Sequence, residues 1–202
     1  LNEHATLSLP FPGDYVTQPG RDFFKFGAAY LWAGFSTEAL PYLEEAIRRT
    51  PGNARVLVLV GQIHLNGERL DEAEKYFRQA LQFDKASPNA AYGLGLIAAK
   101  HGQYDEARRF LEQAIASRPD YADAVNDLGA VFIQQGKIND AVAAFQYGIR
   151  VAPDEDILYL NLGRSYVRLG QMERARQVMQ QLLDRKPDDA TALHALEELN
   201  GR

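Results

Sequence analysis

Gly27, Gly61, Gly95, Gly129 and Gly163 stand 34 residues apart along the chain, without exception. Ala39, Ala73, Ala107, Ala141 and Ala175 keep the same interval. Two five-fold columns in one register do not arise by chance in a chain holding only 16 glycines. A fixed period of this length marks stacked supersecondary units, each too small to bury its own apolar face. Other columns agree. Phe26, Val60, Leu94, Leu128 and Leu162 precede the glycines, and Ile47, Leu81, Ile115, Ile149 and Leu183 form an aliphatic row. Pro51, Pro119, Pro153 and Pro187 form another, with Lys85 as its gap.

Each column has a physical reason. In the unit from Pro88 to Tyr121, Ala91, Leu94, Gly95 and Ala98 follow the i, i+3, i+4, i+7 spacing of a helix stripe. Gly102 ends that helix, as a glycine with free φ does. Gly34, Gly136 and Gly170 are its equivalents, with Gly67 one residue early in the second unit. A second helix then carries Ala107, Leu111, Ala114 and Ile115 inward, with Asp105 expected as its N-cap. Thr37, Asp71 and Asn139 are the matching expected caps, and Ser87 with Pro88 opens the third unit. The small columns mark where two helices cross closely. Pro41 falls early in the second helix of the first unit, where a mild distortion is expected.

These residues resemble the tetratricopeptide repeat family, whose unit is a helix–turn–helix of this length. Tyr30, Phe132 and Tyr166 fit its aromatic column, while His64 and Ala98 depart from it. The resemblance implies an all-α, right-handed superhelical solenoid. The expected division is an extended arm over 1–19, then units over 20–53, 54–87, 88–121, 122–155 and 156–189, then a capping helix over 190–202.

If Leu94 and Gly95 face the core, residues two positions away face roughly the opposite side of the helix. In the family that stripe lines a concave groove holding a protein or peptide partner. The expected groove residues are Phe24, Lys25, Trp32, Val58, Leu59, Gln62, Tyr92, Leu96, Asn126, Asp127, Asn161, Arg164 and Arg168; Gly93 lies on the same stripe. The apolar members mark an interaction surface, and the asparagines and arginines suit backbone or carboxylate recognition. The two-carboxylate clamp of chaperone-binding relatives is absent, since Val58, Gln62, Gly93, Asp123 and Asp127 occupy its places. The asparagine ladder of the O-GlcNAc transferase repeats is interrupted by Lys25, Leu59 and Gly93.

Composition narrows the rest. A net charge of −5 argues against a phosphate-binding surface, hence against nucleic acid. The absence of cysteine excludes disulfides and thiolate chemistry. His4, His64, His101 and His194 lack metal-ligand spacing, and no nucleophile, base and orienting group assemble. No catalytic residue, metal or cofactor is therefore expected, and no membrane insertion. The expected function is a protein-interaction adaptor, the alternative an accessory repeat domain of a larger enzyme or secretion machine. A cytoplasmic setting is expected, or a periplasmic or secreted one if a signal preceded Leu1. In the arm, Leu7, Leu9, Phe11, Tyr15 and Val16 lead to the expectation that Phe11 and Tyr15 pack on the first unit near Phe23, Phe24 or Trp32. The arm also offers a route to self-association by lying in a groove.

Overall fold

A computed structural model describes residues 21–201, with the side chain of Arg21 left out. The expectation for Phe11 and Tyr15 lies outside the described residues. Among these residues the chain forms eleven α-helices and no strand. The first helices of successive units are α1 (Arg21–Trp32), α3 (Ala54–Asn66), α5 (Pro88–Lys100), α7 (Ala122–Gln134) and α9 (Asp156–Arg168). The second helices are α2 (Ser36–Arg49), α4 (Leu70–Phe83), α6 (Tyr104–Ser117), α8 (Ile138–Val151) and α10 (Met172–Arg185). A last helix, α11 (Ala190–Asn200), follows. Each helix packs on its predecessor and successor, and α3, α5, α7 and α9 also touch one another in sequence. This is the layout of an all-α solenoid.

The glycine column is explained by what stands opposite it. A Cβ added at Gly27, Gly61, Gly95, Gly129 or Gly163 would lie 2.3–2.9 Å from the side chain of Leu43, Phe77, Leu111, Phe145 or Met179. Those five partners are themselves spaced by 34 and are at most 2% exposed. Each first helix thus offers a bare backbone socket, and each second helix inserts one large side chain sixteen positions later. The alanine column lies beside it, with all five members at 0% exposure.

Gly93 corrects the sequence-based expectation. It is buried, and a Cβ there would stand 2.4 Å from the Phe77 ring. It gives Phe77 room between α3 and α5 and does not face the groove.

Helix ends follow the expected punctuation with two corrections. Gly34, Gly102, Gly136 and Gly170 hold φ between +71° and +85°. The N–H groups of Gly102 and Gln103 return to the carbonyls of Ala99 and Ala98, closing the end of α5. In the second unit this conformation is taken by Glu68, at φ 57°, and not by Gly67. The second correction concerns caps. The second helices begin two residues earlier than expected, after Phe35, Arg69, Gln103, Lys137 and Gln171, none of which makes a side-chain cap. Asp71 and Asp105 instead sit in the first turn, where their charge complements the helix dipole. Pro41 lies within an unbroken α2, and α11 is capped by Asp189, which accepts from the Ala192 amide at 2.8 Å.

His64 takes its aromatic column position as a core residue. It stacks on Tyr76 at 5.3 Å and accepts from Arg69 Nε at 2.9 Å through Nδ1. Burial first, then the neighbouring Arg69 charge, holds it below the usual histidine range.

Two outcomes follow. Gly129→Ala should cost about 1–3 kcal/mol, because its Cβ meets the fully buried Phe145 ring; an unchanged thermal melt would contradict the socket account. Glu68→Gly should raise stability by about 1 kcal/mol through relief of left-handed strain, read as a rise in melting temperature.

Candidate partner-binding groove

The stripes opposite the core sockets converge on one wall, and its centre is a chain of hydrogen bonds between first helices. Tyr92 on α5 donates its hydroxyl to Asp127 Oδ2 on α7 at 2.8 Å. Asn126 donates to Asp127 Oδ1 at 3.3 Å. Asn161 on α9 donates to Asn126 Oδ1 at 2.7 Å, and Arg164 reaches Asn161 Oδ1 at 3.4 Å. Five of the expected groove residues are thereby joined across three helices.

Tyr92 is held from a second side. Its ring centroid lies 4.8 Å from that of Tyr121, and the Arg118 guanidinium stacks 3.3 Å over Tyr121 while donating to Asn89 Oδ1 at 3.2 Å. Burial and the adjacent Asp127 charge push the Tyr92 hydroxyl pKa far up, so it stays a donor. Neither Arg118 nor Tyr121 lies on the first-helix stripe; both belong to the turn between units, which stripe geometry does not sample.

Beside this row lies a cavity of about 640 Å³ lined by α3, α5 and α7, with Tyr104 and Leu111 of α6 also contributing. Gln62 and Asn66 form one side, Leu96 and Lys100 the next, and Asp127, Ala130 and Gln134 the third. Glu68, with its left-handed backbone, sits on the rim. Towards the C-terminus Arg164 and Arg168 border a second cavity of about 390 Å³, floored by Leu160, Val167, Met179 and Leu199 and closed by α11. Thr191, His194, Ala195 and Glu198 of α11 line it too. A register signal for these existed: α11 begins 34 residues after α9, so they fall on the positions of Ile157, Leu160, Asn161 and Arg164.

The N-terminal members of the expected set are less gathered. Phe24 and Leu59 are half-buried against one core cluster, and Val58 and Leu96 against the next, so they also cement neighbouring first helices. Lys25 is exposed and pairs with Asp22 at 3.8 Å. Trp32, at the end of α1, is 93% exposed and joins neither cavity.

A family model described as tetratricopeptide repeat matches residues 67–131, 98–146 and 132–199, and another of that description matches 24–91. The chain belongs to the tetratricopeptide repeat family. Among solved structures, pilF of Pseudomonas aeruginosa is similar with TM-score 0.77 at 20% identity, over 90% of this chain and 82% of that one. MamA from Desulfovibrio magneticus RS-1 gives 0.74 at 22% identity, over 87% of this chain and 100% of that one. YrrB, described as a TPR protein with an unusual peptide-binding site, gives 0.67 at 22% identity, over 87% and 90%. These likenesses concern the fold. A stretch of 48 residues is 42% identical to the Drosophila melanogaster protein O-mannosyl-transferase Tmtc3, and covers 23% of this chain but 5% of that protein's length. Tetratricopeptide repeats give this chain the architecture of a protein-interaction scaffold. No helix among the described residues is long and apolar enough to cross a membrane, and no group of three or more histidine or acidic side chains among them could hold a metal ion.

Burial holds the Asp127 carboxyl above its usual 3.8, against the opposing pull of hydrogen bonds from Tyr92 and Asn126. A raised carboxyl contributes stability that is full below the usual carboxylate range and is lost as pH rises through the raised value. Asp127→Asn, which keeps an acceptor for Tyr92, should therefore be more stable than the parent at neutral pH. Its advantage should shrink as pH falls toward about 4, in paired thermal melts.

Proposed function

We propose that the chain is a non-catalytic adaptor that binds an extended peptide or protein segment in the concave groove. The observation that carries this reading is the cavity of about 640 Å³ bordered by three consecutive first helices. It offers side-chain amides from Gln62, Asn66 and Gln134 beside the apolar Leu96. Amides can pair with a peptide backbone irrespective of its sequence, and Leu96 gives one side chain a place to leave water. The row from Tyr92 to Arg164 holds the helices in fixed spacing, which lowers the ordering cost of binding.

Cross-linking tests the face used. A photo-reactive residue in place of Gln134, on the groove, should form adducts with the partner in cell extract, whereas one in place of Gln82, on α4, should not. With the captured partner purified, Leu96→Ala should weaken binding by about 1–2 kcal/mol in calorimetry. Adducts only from position 82, with Leu96→Ala silent, would move the site to the second-helix face.

A further inference from the structure

The groove carries charges of opposite sign at two places, and neither is neutralised among the described residues. Asp127 is half-buried and receives hydrogen bonds from Tyr92 and Asn126, but no cation pairs with it among the described residues. Glu68 lies on the rim of the same cavity, and among the described residues Lys100 is the single cation lining it and reaches no carboxylate within ion-pair range. The central cavity is therefore net negative. One helix further on, Arg164 and Arg168 stand a turn apart on the exposed face of α9. Neither makes an ion pair among the described residues, and there the only side-chain hydrogen bond from either is the long one from Arg164 to Asn161. Glu198 faces them across the second cavity, 3.9 Å from His194, and leaves the guanidinium groups in excess.

A half-buried carboxylate without a cation is costly unless something arrives to pair with it. Two arginines in i, i+4 register, without an ion pair among the described residues, can offer guanidinium forks to a carboxylate. We infer that the groove takes a dipolar peptide segment, with a lysine or arginine side chain seated in the cavity at Asp127 and an acidic side chain or chain end against Arg164 and Arg168. This assignment rests on the groove reading above. The alkyl stem of the incoming lysine or arginine would lie along Leu96 and Ala130, which border the same cavity. Neighbouring first helices lie roughly 8–10 Å apart, a distance an extended chain covers in about three residues. The two charges of the partner are thus expected about three positions apart, and their order fixes which way the segment runs.

The test uses the full chain and short acetylated, amidated peptides of alanine and leucine. The peptides carry a lysine and a glutamate about three positions apart in either order, two lysines, two glutamates, or two glutamines. One lysine–glutamate order should bind about tenfold or more tighter than the glutamine peptide. Asp127→Asn, checked for fold by circular dichroism, should abolish the gain from lysine and leave that from glutamate. Arg164→Glu with Arg168→Glu should do the reverse and make the two-lysine peptide the tightest ligand. That exchange of preference is read from the peptide and does not depend on stability. Equal binding of the glutamine peptide, lost on Leu96→Ala, would overturn the charge assignment while leaving the groove reading intact. A gain from glutamate with none from lysine would overturn it as well. Binding that no groove substitution alters would overturn both.

Discussion

The packing of one large side chain from each second helix onto a bare glycine of the first is the contact on which the rest of the structure depends. Leu43, Phe77, Leu111, Phe145 and Met179 are knobs of different shape, yet each meets a socket without a Cβ. The close approach brings the alanine column to zero exposure. Because the contact repeats every 34 residues, the same packing is renewed in each unit, and repeated units that pack on their neighbours build a solenoid. A wider side chain at one socket would therefore alter a unit and its seams with both neighbours.

The same contact explains why a groove exists. With second helices taking up the large side chains, first helices approach one another closely enough for direct hydrogen bonds, from Tyr92 to Asp127 and from Asn161 to Asn126. Those bonds use polar side chains that the core does not need. Gly93 shows how tightly the two demands are linked: it lies on the groove stripe in sequence, but the bulk of Phe77 claims it for packing.

Most of the fold was legible in the sequence because the period repeats one physical problem five times. Columns of Gly, Ala and aliphatic residues mark the packed faces whatever the neighbours are, and the eleven helices lie where those columns place them. Local chemistry was less legible. Asp105 and Asp71 satisfy both the composition of a cap and that of a first turn, and only the backbone separates the two. Glu68 was hidden because Gly67 offered a more obvious residue for the left-handed position. Helix phase placed Tyr92, Asn126, Asp127, Asn161 and Arg164 on one stripe, and these five are joined by hydrogen bonds across three helices. It missed Arg118 and Tyr121, which lie in a turn, and α11 as a wall beside Arg164 and Arg168. Trp32 shares the phase but is exposed and lines neither of the two cavities.

The central claim is that a partner segment binds along the first helices, and amide hydrogen exchange on the full chain with and without its bound partner reads this most directly. The account predicts added protection in α3, α5, α7 and α9, strongest around the cavity between Gln62 and Gln134, with α4, α6, α8 and α10 little changed. Protection confined to the second helices, with the first helices exchanging as before, would contradict it.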